Sequence, residues 1–341
     1  MGRGTDMHEK LNILVTGGAG FLGKAIVKRL VSRGYNVTSF SRGFYPELEK
    51  MGVRQVQGDL SDKKHVTEVC SGMDGVFHVA AKAGVWGSYE EYFDTNVKGT
   101  ENIIEACFFH KIQRLVYTSS PSVVFNGSDV EGGDESLPYP DSFHAHYPKT
   151  KAIAEKLVIE ASKKGLRSIS LRPHLIWGPE DNHLVPRILA RAKRLARVGN
   201  ENKLVDTIYV DNAAHAHMLA FDRLDENHDL SGNVYFISQD EPIPLWDMVN
   251  AILAAGGKEP VTRVAPASVV KAAGIIFESV YGFFKIKKEP PMTKFVAEEL
   301  ATAHWFNISR AKNDLGYAPE ISTTEGLKIL KNWLDKNNVR N

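Results

Sequence analysis

Short apolar runs rich in valine and isoleucine alternate along the chain with longer stretches whose apolar positions recur at helical spacing. This is how a parallel sheet covered on both faces is written. The runs predict strands at Asn12 to Thr16, Asn36 to Phe40, Val53 to Gln57, Gly75 to Val79, Arg114 to Thr118 and Ser168 to Arg172. Phe21 to Arg33, Tyr89 to His110 and Tyr147 to Lys164 predict the clearest helices between them. Right-handed crossovers of this kind build an α/β fold, a doubly wound parallel (Rossmann) sheet, over residues 11–172. After Arg172 the rhythm loosens, and Pro173, Pro179, Pro242, Pro244, Pro260, Pro266, Pro290 and Pro291 punctuate short elements. A smaller, mainly helical cap is expected from 173–203 and 241–330, with elements from about 204–240 returning to the sheet. Ligands of doubly wound sheets sit beyond the carboxyl ends of the strands, so such a cap is placed to shape a substrate pocket.

Composition narrows the class. The 341 residues are 43% hydrophobic and 24% charged, within the globular range, and 42 Lys+Arg against 41 Asp+Glu give a formal charge of +1. No basic field exists to attract nucleic acid. Cys70 and Cys107 both fall in predicted helices and form no CxxC pair, which fits a reducing compartment. Met1 to Lys10 is polar rather than a signal-peptide core, and Asp6 breaks the myristoylation pattern that Gly2 would open. A cytoplasmic protein is expected.

The first strand runs directly into Gly17-x-x-Gly20-x-x-Gly23 and then a helix. Gly17 permits the tight turn, Gly20 close approach to a pyrophosphate and Gly23 close helix packing, while the helix N-terminus offers free N–H groups to phosphates. Phe21 and Leu22 lie within this loop-to-helix turn. At the end of the second strand, where NAD-selective sites place a carboxylate, the chain has Ser41-Arg42. A guanidinium there suits a 2′-phosphate, which favours NADP(H). Asp59-Leu60 follows the third strand, and Asp59 has two readings, an acceptor for the adenine amino group or a plain cap.

Tyr147 and Lys151 lie four residues apart at the start of a helix, on one face, with Pro148 tolerated in the first turn. A lysine ammonium beside a phenol is expected to lower its pKa towards the working range of an acid–base group. Upstream, the fifth strand ends in Ser119-Ser120-Pro121-Ser122, where a hydroxyl can share the charge developing on a carbonyl oxygen. His215-x-His217 does not place two ligands on one helix face, so no metal site is expected.

With these residues in order, the chain resembles the extended short-chain dehydrogenases/reductases. The resemblance runs through the glycine motif, Asp59-Leu60, His78-Val79-Ala80-Ala81, Asn96-Val-x-Gly99-Thr100, Tyr117 to Ser120, Tyr147-x-x-x-Lys151 and Arg172-Pro173, and it covers essentially the whole chain. It implies Tyr147 as proton donor, Lys151 as ribose anchor, and Ser120 rather than Ser119 as carbonyl polariser. It also implies Asn96 as a supporting residue and Ala80, Ala81, Lys82 and Pro173 along the cofactor. Within the family the chain is similar to the 3β-hydroxysteroid and sterol-carboxylate dehydrogenase branch. More narrowly it is similar to bacterial reductases of long-chain olefin biosynthesis, through Ala80 to Tyr89, Arg172 to His183, Glu289 to Phe295 and Thr302 to Trp305.

That narrower resemblance implies NADPH-dependent reduction of a long-chain 2-alkyl-3-oxoalkanoic acid, a lipid-like β-keto acid, to the 3-hydroxy acid. It also implies a homodimer and pathway partners: a thiolase-like condensing enzyme, a β-lactone synthetase and an α/β-hydrolase-type decarboxylase. Three rivals are weighed against it. They are an NAD-dependent sterol dehydrogenase, opposed by Arg42, a nucleotide-sugar epimerase, and a non-catalytic NADP-binding sensor or scaffold, opposed by the joint presence of Ser120, Tyr147 and Lys151. Lys82, His174 and His183 are candidate cationic partners for a substrate carboxylate, whereas His78 reads as a core histidine. Val269 to Phe284 is strongly apolar but too short for a membrane span, and is followed by Lys285, Lys287 and Lys288. Core or dimer packing, a wall for acyl chains and an interfacial membrane helix are its three readings.

Overall fold

A computed structural model describes residues 10–337. The N-terminal readings built on Gly2, Asp6 and the polar start of the chain lie outside the described residues, Lys10 apart. Seven strands form the central sheet: β1 (Asn12–Thr16), β2 (Asn36–Ser41), β3 (Arg54–Gln57), β4 (Gly75–His78), β5 (Arg114–Thr118), β6 (Arg167–Pro173) and β7 (Val234–Ile237). Their order is β7-β6-β5-β4-β1-β2-β3 and every pairing is parallel. Strand order reverses on either side of β1, which opens a crevice at its carboxyl end. Ile13, Leu14 and Val15 of β1 are wholly buried because helices cover both faces, which is why the strand reads as an unbroken apolar run.

One face is covered by α1 (Phe21–Ser32) and by Val210–Glu226, through Ile26, Val27, Leu30, Ala213 and Phe221. The other is covered by α2 (Gly99–His110) and α3 (His146–Lys163), through Ile103, Cys107, Ala154 and Val158. The isoleucine, valine, leucine and phenylalanine side chains among these each contribute roughly 1.5–3 kcal/mol on full burial. Cys70 and Cys107 are buried free thiols.

The expected single helix from Tyr89 to His110 is instead three segments. Tyr89–Phe93 leads into a π-helical turn at Asp94–Lys98, and α2 follows from Gly99. A π turn accommodates one extra residue per turn and re-aims its side chains. Here it turns Asn96 inward, where it is buried.

The region after β6 carries helices and also short strands the sequence pattern does not reveal. Ile243–Pro244, Leu204–Val205, His304–Phe306 and Val130–Gly133 form a second sheet in that order. Strands of two to four residues are too short to show a period of two. α4 (Ala267–Phe283) contains the long apolar run, and Gly274 alone of its residues is buried, with Thr293 backbone packed where a Cβ would stand. Ile276 is 60% exposed, Phe283 82% and Phe284 67%. Core packing is therefore not its role in this chain. The run stays outside the core because only the glycine lets the helix approach its neighbour. Among the described residues no helix is long and apolar enough to cross a membrane.

Candidate active site

The carboxyl ends of β1, β2, β4, β5 and β6 open into one cavity of about 580 Å³. At its floor the glycine loop is fixed by backbone geometry. Gly17 adopts φ +67°, its N–H donates to the Phe40 carbonyl at 2.9 Å, and Gly20 N–H donates to the Gly17 carbonyl at 2.8 Å. A Cβ on Gly23 would stand 2.1 Å from the Gly17 carbonyl oxygen, so only glycine lets α1 start here. Gly20 caps α1 without a side-chain hydrogen bond, leaving the first-turn N–H groups directed at the cavity beside Phe21 and Leu22. This cradle fits a dinucleotide pyrophosphate.

Ser41 and the exposed Arg42 form the cavity edge at the tip of β2, beside Asp59 and Leu60. The Asp59 carboxylate accepts from Ser61 N at 2.9 Å and Ser61 Oγ at 2.7 Å, both at Oδ1, which forms the turn cap. Those hydrogen bonds and the nearby Arg42 charge hold its pKa low. Ala80, Ala81, Lys82 and Pro173 border the middle of the cavity. Asn96 acts on it indirectly, because its Oδ1 accepts from Lys82 N at 2.7 Å and its Nδ2 donates to Lys82 O and to Thr150 Oγ1. It fastens the loop after β4 to the helix that carries Tyr147.

Ser119, Ser120, Tyr147 and Lys151 converge at the inner end. The Ser120 hydroxyl pairs with Ser122 Oγ at 2.8 Å and lies near Tyr147 in the cavity lining, whereas the buried Ser119 hydroxyl has no partner among the described residues. Lys151 Nζ donates to the Thr118 carbonyl at 2.6 Å and lies 4.1 Å from the Tyr117 ring centroid. Thr118 is itself locked by His217 Nε2, at 2.8 Å from its hydroxyl, while His217 Nδ1 bonds the Ala213 carbonyl at 2.7 Å. The second histidine of His215-x-His217 thus holds the residue whose carbonyl accepts from Lys151. Among the described residues no three His, Cys, Asp or Glu could hold a metal ion.

The expected lowering of the Tyr147 pKa does not occur. Burial raises it, and the nearby Ser120 hydroxyl pulls only part of the way back. Burial also takes the Lys151 ammonium down to about 7, against the opposing charge of Glu155. A phenol that holds its proton is the resting form needed to protonate a carbonyl oxygen.

Of the cationic candidates, His174 fails. Burial drives its pKa well below the ordinary value, and its Nε2 stands 2.6 Å from His304 Nδ1. Lys82 borders the cavity but its ammonium pairs with Glu91 at 3.0 Å. His183 borders the cavity beside Asp181, whose carboxylate caps the following helix by accepting from the backbone N–H groups of His183, Leu184 and Val185. His78 is a core histidine, bonded to Thr16 and Thr100.

The sequence reading missed Thr95, Phe295 and Glu299, all on the cavity wall. Phe295 and Glu299 lie four apart on α5 (Lys294–Glu299), and that one-faced spacing was the available signal.

A nucleotide cradle at the switch point of a doubly wound sheet, with a serine, tyrosine and lysine gathered over it, defines an extended short-chain dehydrogenase/reductase. The model of the 3-beta hydroxysteroid dehydrogenase/isomerase family matches residues 14–265, and the chain belongs to that family of oxidoreductases, which depend on a nicotinamide dinucleotide. It is 50% identical over 327 residues to the 2-alkyl-3-oxoalkanoate reductase of Shewanella oneidensis, covering 93% of this chain and 84% of that protein. The protein of the same name from Stenotrophomonas maltophilia is 48% identical over 325 residues, 94% of this chain and 98% of its own. In fold it is similar to the UDP-glucuronic acid 4-epimerase of Bacillus cereus, solved in complex with NAD. The TM-score is 0.74 at 20% identity, over 97% of this chain and 100% of that one.

Proposed function

We propose that the protein is an NADPH-dependent reductase converting long-chain 2-alkyl-3-oxoalkanoic acids to 2-alkyl-3-hydroxyalkanoic acids. The observation that carries this is the identity of about half, over 93% of the chain, to a reductase named for that substrate, with Ser120, Tyr147 and Lys151 gathered at one cavity end. The glycine loop from Gly17 to Gly23 would hold the dinucleotide, whose nicotinamide would supply the hydride for the ketone carbon. Tyr147 donates its phenolic proton to the carbonyl oxygen, Ser120 donates a hydrogen bond to the same oxygen as charge develops, and Lys151 orients the ribose. The apolar α4 supports a lipid-like substrate. It and the residues that follow it pack beside the neighbours of two cavity-lining residues, Gly274 against Thr293–Lys294 next to Phe295, and Tyr281 and Ile286 against Trp86 next to Val85.

Arg42 supports NADP(H) over NAD(H), since an exposed guanidinium at the β2 tip is free to take a 2′-phosphate. The test is NADPH oxidation with a long-chain 2-alkyl-3-oxo acid, beside oxidation of a 3β-hydroxysterol with either cofactor. Reduction of the acid with NADPH is expected, and sterol oxidation with NAD and silence on the acid would overturn the reading. Arg42→Ala is expected to lower the NADPH-to-NADH ratio of kcat/KM by roughly 10- to 150-fold, the range of a hydrogen bond to a charged group. An unchanged ratio would remove the argument for NADP. The reaction places the enzyme after a condensing enzyme of the thiolase class and before β-lactone formation and decarboxylation, in the cytoplasm.

A further inference from the structure

Glu299 is a cavity group that neither the fold nor the catalytic chemistry uses. Its carboxyl faces the cavity that holds Ser120, Tyr147 and Lys151, and among the described residues it has neither a hydrogen-bond nor an ion-pair partner. The polar contact at this residue is to its backbone, where His304 Nε2 lies 3.0 Å from the carbonyl oxygen. An unpartnered carboxyl half-withdrawn from water is costly as an anion, which favours its protonated form. Burial accordingly pushes it up to about 8.

The cavity's other basic side chains are meanwhile mostly engaged or distant. Lys82 pairs with Glu91, Lys151 donates to the Thr118 carbonyl, Arg42 stands at the other end by Asp59, His183 lies beside Asp181, and His174 is held neutral against His304. A substrate carboxylate entering beside Tyr147 finds Lys82 and Lys151 already engaged, and it meets a carboxylic acid with a proton to share. An O–H···O⁻ bond is short and strong, and the arriving negative charge binds the shared proton more tightly.

We propose that Glu299, as a carboxylic acid, is the residue that recognises the substrate's carboxylate, donating a hydrogen bond to it in the cavity shared with Tyr147. This rests on the acid-substrate reading above. It makes Glu299 a specificity residue for β-keto acids over the corresponding neutral ketones.

The test compares a long-chain 2-alkyl-3-hydroxy acid with its methyl ester in the oxidative direction, for the wild type, Glu299→Ala and Glu299→Gln. NADPH affinity of each variant serves as the check of folding. Glu299→Ala is expected to lower kcat/KM for the acid by roughly 10- to 150-fold, mainly through KM, and to leave the ester within about twofold. The titratable groups facing this part of the cavity are Tyr147 and Lys151 on α3, Asp181, His183 and His174 after β6, and His304 behind Glu299. Those of them that serve both substrates alike cancel in the acid-to-ester ratio.

That ratio is expected to fall roughly tenfold between pH 7 and pH 9 in the wild type, as Glu299 loses its proton, and to stay flat in Glu299→Gln, which keeps a donor. Equal losses on acid and ester in Glu299→Ala would show a packing role and overturn the proposal, as would an unaffected acid. If Glu299→Ala does not fold, a ratio in Glu299→Gln that still falls with pH overturns it equally. A wild type that oxidises neither acid nor ester but accepts a 3β-hydroxysterol defeats the substrate reading, and this inference with it.

Discussion

Replacing Tyr147 with phenylalanine should cut turnover by roughly 10²- to 10⁴-fold while cofactor affinity stays within about twofold. The ring keeps its place at the start of α3, so only the hydroxyl is lost. That hydroxyl accounts for two features of the site. It lies near the Ser120 hydroxyl, and it is held protonated by burial. Serine is a poor acid, and Lys151 is committed to the Thr118 carbonyl, so neither replaces it as a proton donor at the reacting oxygen. Steady-state rates and a fluorescence titration of the nucleotide separate chemistry from binding. Turnover that survives the substitution would contradict the mechanism. Loss of binding in parallel with turnover would instead show that the phenol is part of the nucleotide site.

Most of the sheet was legible because its strands are buried on both faces. Arg114–Thr118 is buried at all five positions, and a strand of that kind leaves an apolar run between turn residues. The glycine loop was equally legible, since a Cβ at Gly23 would collide with fixed backbone. What stayed hidden depends on contacts between distant residues. Nothing within residues 89–110 says that Asn96 must turn towards Lys82 and Thr150, and that contact accompanies the π turn. His174 looked like a loop cation. Its neutrality follows from burial against His304, which is 130 positions away. Apolarity likewise did not reveal that the side chains of α4 face outward, because that depends on whether a neighbouring element covers them.

The same long-range logic makes the Arg172–Glu155 pair a vulnerable point of the fold. Glu155 lies one helical turn after Lys151 on α3 and is wholly buried, and Arg172, on β6, is 2% exposed. Arg172 Nε and a terminal nitrogen donate to the two carboxylate oxygens at 3.0 and 2.6 Å, and the Tyr139 hydroxyl donates to the carboxylate at 2.6 Å. The guanidinium also lies over Phe236, 5.0 Å from its centroid.

Removing one partner leaves the other charge in a dry interior, so Glu155→Leu should destabilise the protein by about 3–5 kcal/mol. This is a large share of the 5–15 kcal/mol typical of a folded protein. The double variant Glu155→Leu, Arg172→Met should recover most of that loss, because a buried pair repays little more than its own desolvation. Urea unfolding of the three proteins measures both effects. A single-variant loss below about 1 kcal/mol would mean that water reaches the pair.

Glu155 also supplies the negative charge that opposes desolvation of Lys151. Restoring stability in the double variant should therefore not restore the lysine. Its pKa should fall below about 7, and activity at neutral pH should remain depressed in a protein that is otherwise stable. Stability and activity that recover together would show that the pair is purely architectural. Stability recovered without activity would show that the ion pair tying α3 to β6 is also what keeps Lys151 charged.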